Sequence, residues 1–299
     1  MSNDPSTEVV HGEAALSWTE AGGRRWAFAG ESAPLERATW PVRIFTFGRF
    51  SVVKGEAPLA WSRKTPKKPI ALLKILLAFG GREVSGRQLS DALWPDEEGD
   101  AARNVLAVNL HRLRRLLGEN DAVVLHDGRV SLDARRCWAD TWTFERLLGS
   151  AAEASSEARP ILLQRALALY RGPFLAGDPD EPWALSMRER LRAKFIRHSV
   201  ELGRLLEESG QWDQAIACYQ RGLEGDEFAE AFYQGLMRCH RQLDRRAEGV
   251  AVYRRLCRTL SVILGLAASP ASEVLFRELL TYDLPSYRPS LFPASVTPV

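Results

Sequence analysis

Four cysteines and five histidines are all the thiol and imidazole side chains that 299 residues offer, and their spacing fits neither a zinc site nor thiol chemistry. Cys137, Cys218, Cys239 and Cys257 fit no zinc-ligand pattern. The last three fall at largely apolar helical positions and read as reduced thiols. His11, His111, His126, His198 and His240 are scattered, and all but His111 read as satisfied or surface side chains. No Gly-rich phosphate loop with its lysine occurs, and no Gly-x-Ser-x-Gly elbow. Without a catalytic constellation, the expectation is a protein that is not an enzyme and uses no cofactor and no metal. No apolar run is long enough to span a bilayer and no signal-peptide pattern is present, so a cytoplasmic location is expected.

Net charge is also small, +2, but it is unevenly placed. Residues 41–150 hold 18 Lys and Arg against 13 Asp and Glu, whereas residues 151–299 hold 19 of each and residues 1–40 are acidic. A positive excess confined to one stretch points to a polyanionic partner for that stretch, double-stranded DNA before all others.

Within it, Ala101 to Leu117 has the period of an amphipathic helix. Ala102, Leu106, Leu110, Leu113 and Leu117 recur at three- and four-residue steps and form one apolar stripe. At about 100° per residue, Asn104, Val108, His111, Arg112 and Arg115 point the other way, with Arg103 and Arg114 on the flank. Arg and Asn can bond bidentately to guanine and adenine edges, and a solvent-facing Val suits a thymine methyl. Taken alone, such a helix reads equally as a surface helix with a solvated basic face.

Its neighbours decide between the two. Val42 to Val53 alternates and is rich in β-branched and aromatic residues, and with Leu59-Ala-Trp61 it predicts a short antiparallel strand set. Pro69 to Phe79 is almost continuously apolar up to Gly80-Gly81 and predicts a heavily buried helix. A second helix is expected from Ser85, as its N-cap, to Trp94-Pro95. After the basic helix, Ala122–Leu125 and Arg129–Leu132 flank Asp127-Gly128, a hairpin signal. Strands, three helices and a terminal hairpin make a winged helix-turn-helix, with the third helix in the recognition position.

Residues 43–147 resemble the DNA-binding domain of SARP-type activators, itself similar to the response-regulator winged helix. The matching segments are Gly80-Gly-Arg-Glu-Val-Ser85, Leu93-Trp-Pro95, Asp100-Ala-Ala-Arg103, Leu110-His-Arg-Leu-Arg-Arg-Leu-Leu-Gly118 and Gly128-Arg-Val-Ser-Leu-Asp133. Cys137-Trp-Ala-Asp140 and Trp142-Thr-Phe-Glu145 resemble the link to the next domain in the maltose-regulator-like branch. The resemblance implies that Arg103, Asn104, Ala107, Val108, His111, Arg112, Arg114 and Arg115 meet bases or phosphates. It also implies backbone or wing contacts from Lys64, Lys67, Lys68, Trp94 and Arg129. One departure is that wings of this type often carry Gly-Tyr-Arg where this sequence has Gly128-Arg-Val.

From about Ala151 the sequence turns Leu-, Ala- and Arg-rich and repeats itself. Ala217 and Ala251, Tyr219 and Tyr253, and Leu202 and Leu236 are each 34 apart, the tetratricopeptide period. The pattern predicts helix pairs Phe195–Glu208 with Trp212–Glu224 and Glu230–Leu243 with Arg246–Leu260. An extra pair, Ala158–Arg171 and Trp183–Lys194, precedes them, and a capping helix Ser272–Tyr282 follows. Ala215, Ala217 and Ala251 would let paired helices approach, and Tyr219 and Tyr253 would fill the grooves. Leu169-Tyr-Arg-Gly-Pro-Phe-Leu175, Arg188-Glu-Arg-Leu191 and Leu264-Gly265 resemble the bacterial transcriptional activator domain, or BTAD.

The expected fold is therefore mainly α with a small β component, a winged helix-turn-helix domain at 41–147 followed by an all-α tetratricopeptide-like (BTAD) domain at 151–282. Residues 1–40 are an N-terminal extension that reads as a β-hairpin, and 283–299 a Pro-rich disordered tail. The resemblance implies a sequence-specific transcriptional activator binding promoter repeats as a dimer or tandem copies. Double-stranded DNA, RNA polymerase and a second copy are the implied partners, with room for a small-molecule or protein effector on the helical domain and none for a membrane. The competing reading is a helical-repeat interaction module, for protein or ligand, whose winged helix serves in assembly.

Overall fold

The computed structural model describes residues 40–59, 67–97 and 99–281. The expected hairpin within 1–40, the tail 283–299 and Lys64 lie outside the described residues.

Strands β1 (Val42–Phe45), β2 (Ser51–Lys54) and β3 (Ala57–Pro58) form the antiparallel set read from the sequence, with Val42 opposite Lys54. Val42 and Ile44 are fully buried, as the period of two requires. Helix α1 (Lys67–Ala78) buries Leu72, Leu73, Ile75 and Leu76 completely and gives way to Gly80 and Gly81, both at positive φ.

Strand β4 (Val84–Ser85) and helix α2 (Gly86–Leu93) follow. Ser85 precedes α2, but its side chain makes no capping hydrogen bond, contrary to expectation. The residue is spent on a sheet instead. It pairs with Arg129, and the Gly86 N–H, the first of the helix, donates to the Gly128 carbonyl at 2.8 Å. Helix α3 (Gly99–Leu117) leads to β5 (Val123–His126) and β6 (Arg129–Leu132), in a sheet ordered β4-β6-β5. Asp127 and Gly128 have φ of 46° and 72°, the signs a two-residue hairpin turn needs.

Strand β7 (Cys137–Ala139) returns parallel to β1 and completes the first sheet in the order β3-β2-β1-β7. Seven helices then stack: α4 (Asp140–Glu153), α5 (Ala158–Leu169), α6 (Pro182–Glu208), α7 (Trp212–Gly225), α8 (Glu230–Gln242), α9 (Arg246–Thr259) and α10 (Pro270–Leu280). Two expected helices, Trp183–Lys194 and Phe195–Glu208, are one 27-residue helix, because nothing between Lys194 and Phe195 breaks the chain. The expected division at 147–151 falls inside α4. Ala251 is exposed, so it is not a packing position. Glycines give the close approach: a Cβ on either Gly203 or Gly235 would overlap the fully buried ring of Tyr219.

The α/β part and the helical part share one core. The carboxylate of Asp140, at the start of α4, accepts from the Thr46 and Phe47 N–H groups at 2.7 and 2.9 Å and from the Thr46 hydroxyl at 2.6 Å. Burial pushes its pKa up, against those hydrogen bonds. The α5–α6 connection lies along the same turn: Leu175 N–H donates to the Thr46 carbonyl and Ala176 N–H to that of Gly48. Aromatic rings continue the contact from Phe47 through Phe144 and Tyr170 to Phe195. Lys74 of α1 bonds Asp178 at 2.7 Å with both side chains largely buried. Trp142 donates its indole N–H to the Gly80 carbonyl and covers Gly81, where a Cβ would collide with the ring. The β1 turn and α1 are thus fixed against the helical stack, and α3 packs on α1.

Candidate nucleic-acid interface

Helix α3 turns Ala102, Leu106, Leu110, Leu113 and Leu117 inward, all buried, as its sequence period demands. Arg103, Asn104, Ala107, Val108, His111, Arg112 and Arg115 are exposed together on the opposite side. Among the described residues, Arg103 is held by Asp100 at 3.0 Å, while His111, Arg112 and Arg115 have no hydrogen-bond or ion-pair partner. The exposed Arg103–Asp100 pair contributes little. What remains is a row of cationic and amide side chains with their donors free.

Arg114 stands apart from that row. It is half-buried, and its Nε donates to the Val123 carbonyl at 2.8 Å, so it ties α3 to the first residue of the hairpin instead of facing outward. The wing arginine, Arg129, is exposed, and its guanidinium reaches back to the Glu83 carbonyl at 3.0 Å. Glu83 sits at φ 51°, donates its N–H to the Ser131 hydroxyl and accepts from it with its carboxylate. The turn before α2 and the wing are thereby one knot, a link that no local sequence pattern signals beyond a glutamate next to a strand.

At the other edge, Lys67 is exposed at the start of α1. Lys68 donates to the Leu93 carbonyl at 3.2 Å and lies over the Trp94 ring, 5.8 Å from its centroid. Trp94 is half-buried, and its indole N–H makes no hydrogen bond among the described residues. The structure brings Lys68 and Trp94 together, and keeps Arg129 at the opposite end of the site on the wing.

Two residues lining the helix surface escape a reading by face alone. Val105 and Asn109 border the exposed row, and Asn109, only 5% exposed, donates its side-chain amide to the Val105 carbonyl. An asparagine four residues before Leu113 was legible only as an interruption of the apolar stripe.

The thiols take no part. Burial pushes Cys137, Cys218 and Cys239 up to about 12, which leaves them protonated and poor as nucleophiles or ligands. Among the described residues, no helix is long and apolar enough to cross a membrane.

Residues 139–280 match the family model described as bacterial transcriptional activator domain, and residues 63–127 that described as transcriptional regulatory protein, C terminal. The regulatory protein AfsR of Streptomyces griseus is 28% identical over 229 residues, 75% of this chain and 23% of AfsR. The transcriptional regulatory protein EmbR of Mycobacterium tuberculosis is 27% identical over 230 residues, 72% of this chain and 58% of EmbR. The chain thus spans under a quarter of the one relative's length and under two thirds of the other's. In structure it is similar to Mycobacterium tuberculosis EmbR in complex with a low affinity phosphopeptide. The TM-score is 0.62 and the identity 20%, over 80% of this chain and 65% of that one, a likeness of fold. These relatives are transcriptional regulators, and no enzyme family is indicated. A response-regulator-type winged helix followed by a bacterial transcriptional activator domain makes this chain a homologue of the SARP-family transcriptional regulators.

Proposed function

We propose that this chain is a sequence-specific DNA-binding activator that lays α3 in the major groove. The observation that carries the reading is the exposed row Arg103, Asn104, Ala107, Val108, His111, Arg112 and Arg115, most of it unpaired, on the third helix of a winged-helix module. Free guanidinium and amide donors match the acceptors of guanine and adenine edges. Lys67, Lys68 and Trp94 at one end and Arg129 at the other are placed for the flanking phosphates and the adjacent groove. Arg114 serves by holding the wing against α3.

One recognition helix reads only a few base pairs, so specificity against a genome calls for two copies on adjacent sites. The helical module, docked rigidly on the winged helix, would set the distance between copies, present a surface to RNA polymerase and accommodate an effector. A protein of this kind works in the cytoplasm. Genome-wide selection of bound DNA with the purified chain, followed by a salt titration on the selected duplex, tests the proposal. Enrichment of a repeated motif and a steep loss of affinity with salt are expected. Sequence-independent, salt-insensitive retention would instead leave the helical stack as an interaction module with the winged helix as its assembly surface.

A further inference from the structure

Along one flank of α3 lies a recess of about 300 Å³, open to solvent and lined by Asn104, Val105, Val108, Asn109 and Arg112. These positions follow one another at helical spacing, so the two valines lie centrally, Asn104 toward the helix start and Arg112 toward its end. Val108 is 48% exposed, so about half of its aliphatic surface is left for an outside partner. Asn109 lies beneath, its Nδ2 bonded to the Val105 carbonyl at 2.8 Å and its Oδ1 buried without a partner among the described residues. Among the described residues, no carboxylate lines the recess. It is an apolar dimple with N–H donors at both ends.

Resting on the reading of α3 as the major-groove helix, we propose that this recess selects thymine at one fixed position of each half-site. In the major groove a thymine presents its C5 methyl beside the O4 acceptor. The methyl fits the space between Val105 and Val108, while O4 meets the donors of the Arg112 guanidinium. Cytosine is opposed twice: it lacks the methyl, and its N4 amine sets a donor against the Arg112 guanidinium, which has no acceptor to offer. Adenine and guanine offer no methyl to the valines. Asn109 acts as a positioning residue under the floor, its side-chain amide held on the Val105 carbonyl. Room well beyond one methyl suits the edge of a base pair docked with its methyl foremost, since one water occupies only about 30 Å³.

The full chain is assayed on a duplex recovered by selection, with each thymine replaced in turn by deoxyuridine, which removes the methyl and keeps O4. One position per half-site should lose about three- to fivefold in affinity, the scale of one buried methyl group. Replacing that thymine by 5-methylcytosine, which restores the methyl but not O4, should bind better than cytosine and worse than thymine. In Val108→Ala the deoxyuridine penalty should nearly vanish, and in Val108→Thr, which keeps one methyl, it should be partly retained. Both variants should melt as wild type does because the side chain is half-exposed. A flat deoxyuridine scan on a site that still outcompetes scrambled DNA overturns the recess while leaving DNA reading intact. So does a penalty undiminished in Val108→Ala, because the methyl is then read elsewhere. Equal affinity for selected and scrambled duplexes overturns both, since α3 then reads no sequence.

Discussion

On the outer face of α3, Arg112 and Arg115 extend into solvent with no carboxylate to bond, whereas in the helical stack Arg238 of α8 bonds Glu207 twice, at 2.8 and 3.0 Å, with both side chains largely covered. Arg192 meets the buried Asp226 and Arg159 meets Glu201 in the same way. The residue type is shared but its task is not. For these three arginines the acid sits one or two helices away and the pair holds helices together, while others in the stack, such as Arg165, Arg204 and Arg254, are exposed as those of α3 are. On α3 Arg112 and Arg115 have no acid to bond among the described residues, and they share one exposed face with Asn104, Val108 and His111. Composition alone, 19 cations and 19 anions against 18 and 13, already hints at this difference.

The largest expected effect breaks the comparison from the helical side. Tyr219 is fully buried between Gly203 and Gly235, with its hydroxyl on Glu207, and burial pushes its pKa well above the ordinary value. Tyr219→Ala should cost about 3–5 kcal/mol in urea denaturation, from a large cavity and an uncovered ion pair. Tyr253, its counterpart 34 residues on, is half-buried and stacks on Phe276 at 4.1 Å, so Tyr253→Ala should cost only about 1–2 kcal/mol. Equal losses would show that the repeat, not burial, sets the energetics.

Those two tyrosines also show how far the sequence could be read. The 34-residue spacing made them equivalent, and the helix pairs it predicted are present, but spacing carries no information on whether another unit follows to bury the second ring. The winged helix was legible because each of its elements has a local signal: the alternation in Val42–Val53, the apolar run of α1, the Asp127-Gly128 turn. Non-local partners left no such trace. Three-residue β7, the two-residue β4 and the seam around Asp140 are fixed by segments about 40 to 95 positions away. On α3 the exposed row followed from angle alone. Arg114 did not, because its hydrogen bond to Val123 depends on where the hairpin folds back.

A smaller effect is expected from the DNA side. Arg112→Ala should weaken binding to a selected site by about 1–3 kcal/mol and relax the preference at one base pair, with the urea midpoint unchanged. If selected and scrambled duplexes lose equally, Arg112 is a phosphate contact. Lys67→Ala, by contrast, should weaken all sequences alike and lower the slope of log affinity against log salt by about 1. A change in base preference with Lys67→Ala would place α1 in the groove and redraw the site.

The smallest effect returns to the helical stack, through its buried histidine. His240, on the last turn of α8, is 8% exposed, and its Nδ1 has no partner among the described residues. Burial pulls its pKa below the usual 6.5; the carboxylates of Glu248 and Asp213 counter that, and Arg245 reinforces it. With the folded pKa lowered, the unfolded chain binds the proton first, so stability rises with pH through this window and is lost as pH falls below about 6.5. For a single histidine the loss at pH 6 should stay under about 1 kcal/mol. It should be visible as a slope in urea midpoints between pH 7.5 and 5.5, before carboxylates begin to titrate. His240→Gln, which keeps a polar side chain of similar reach but cannot titrate, should flatten that slope. A slope that survives His240→Gln unchanged would mean that the stack tolerates a charge at this buried position, and the contrast between a stack that pairs its buried charges and an outer face of α3 that carries them in solvent would fail.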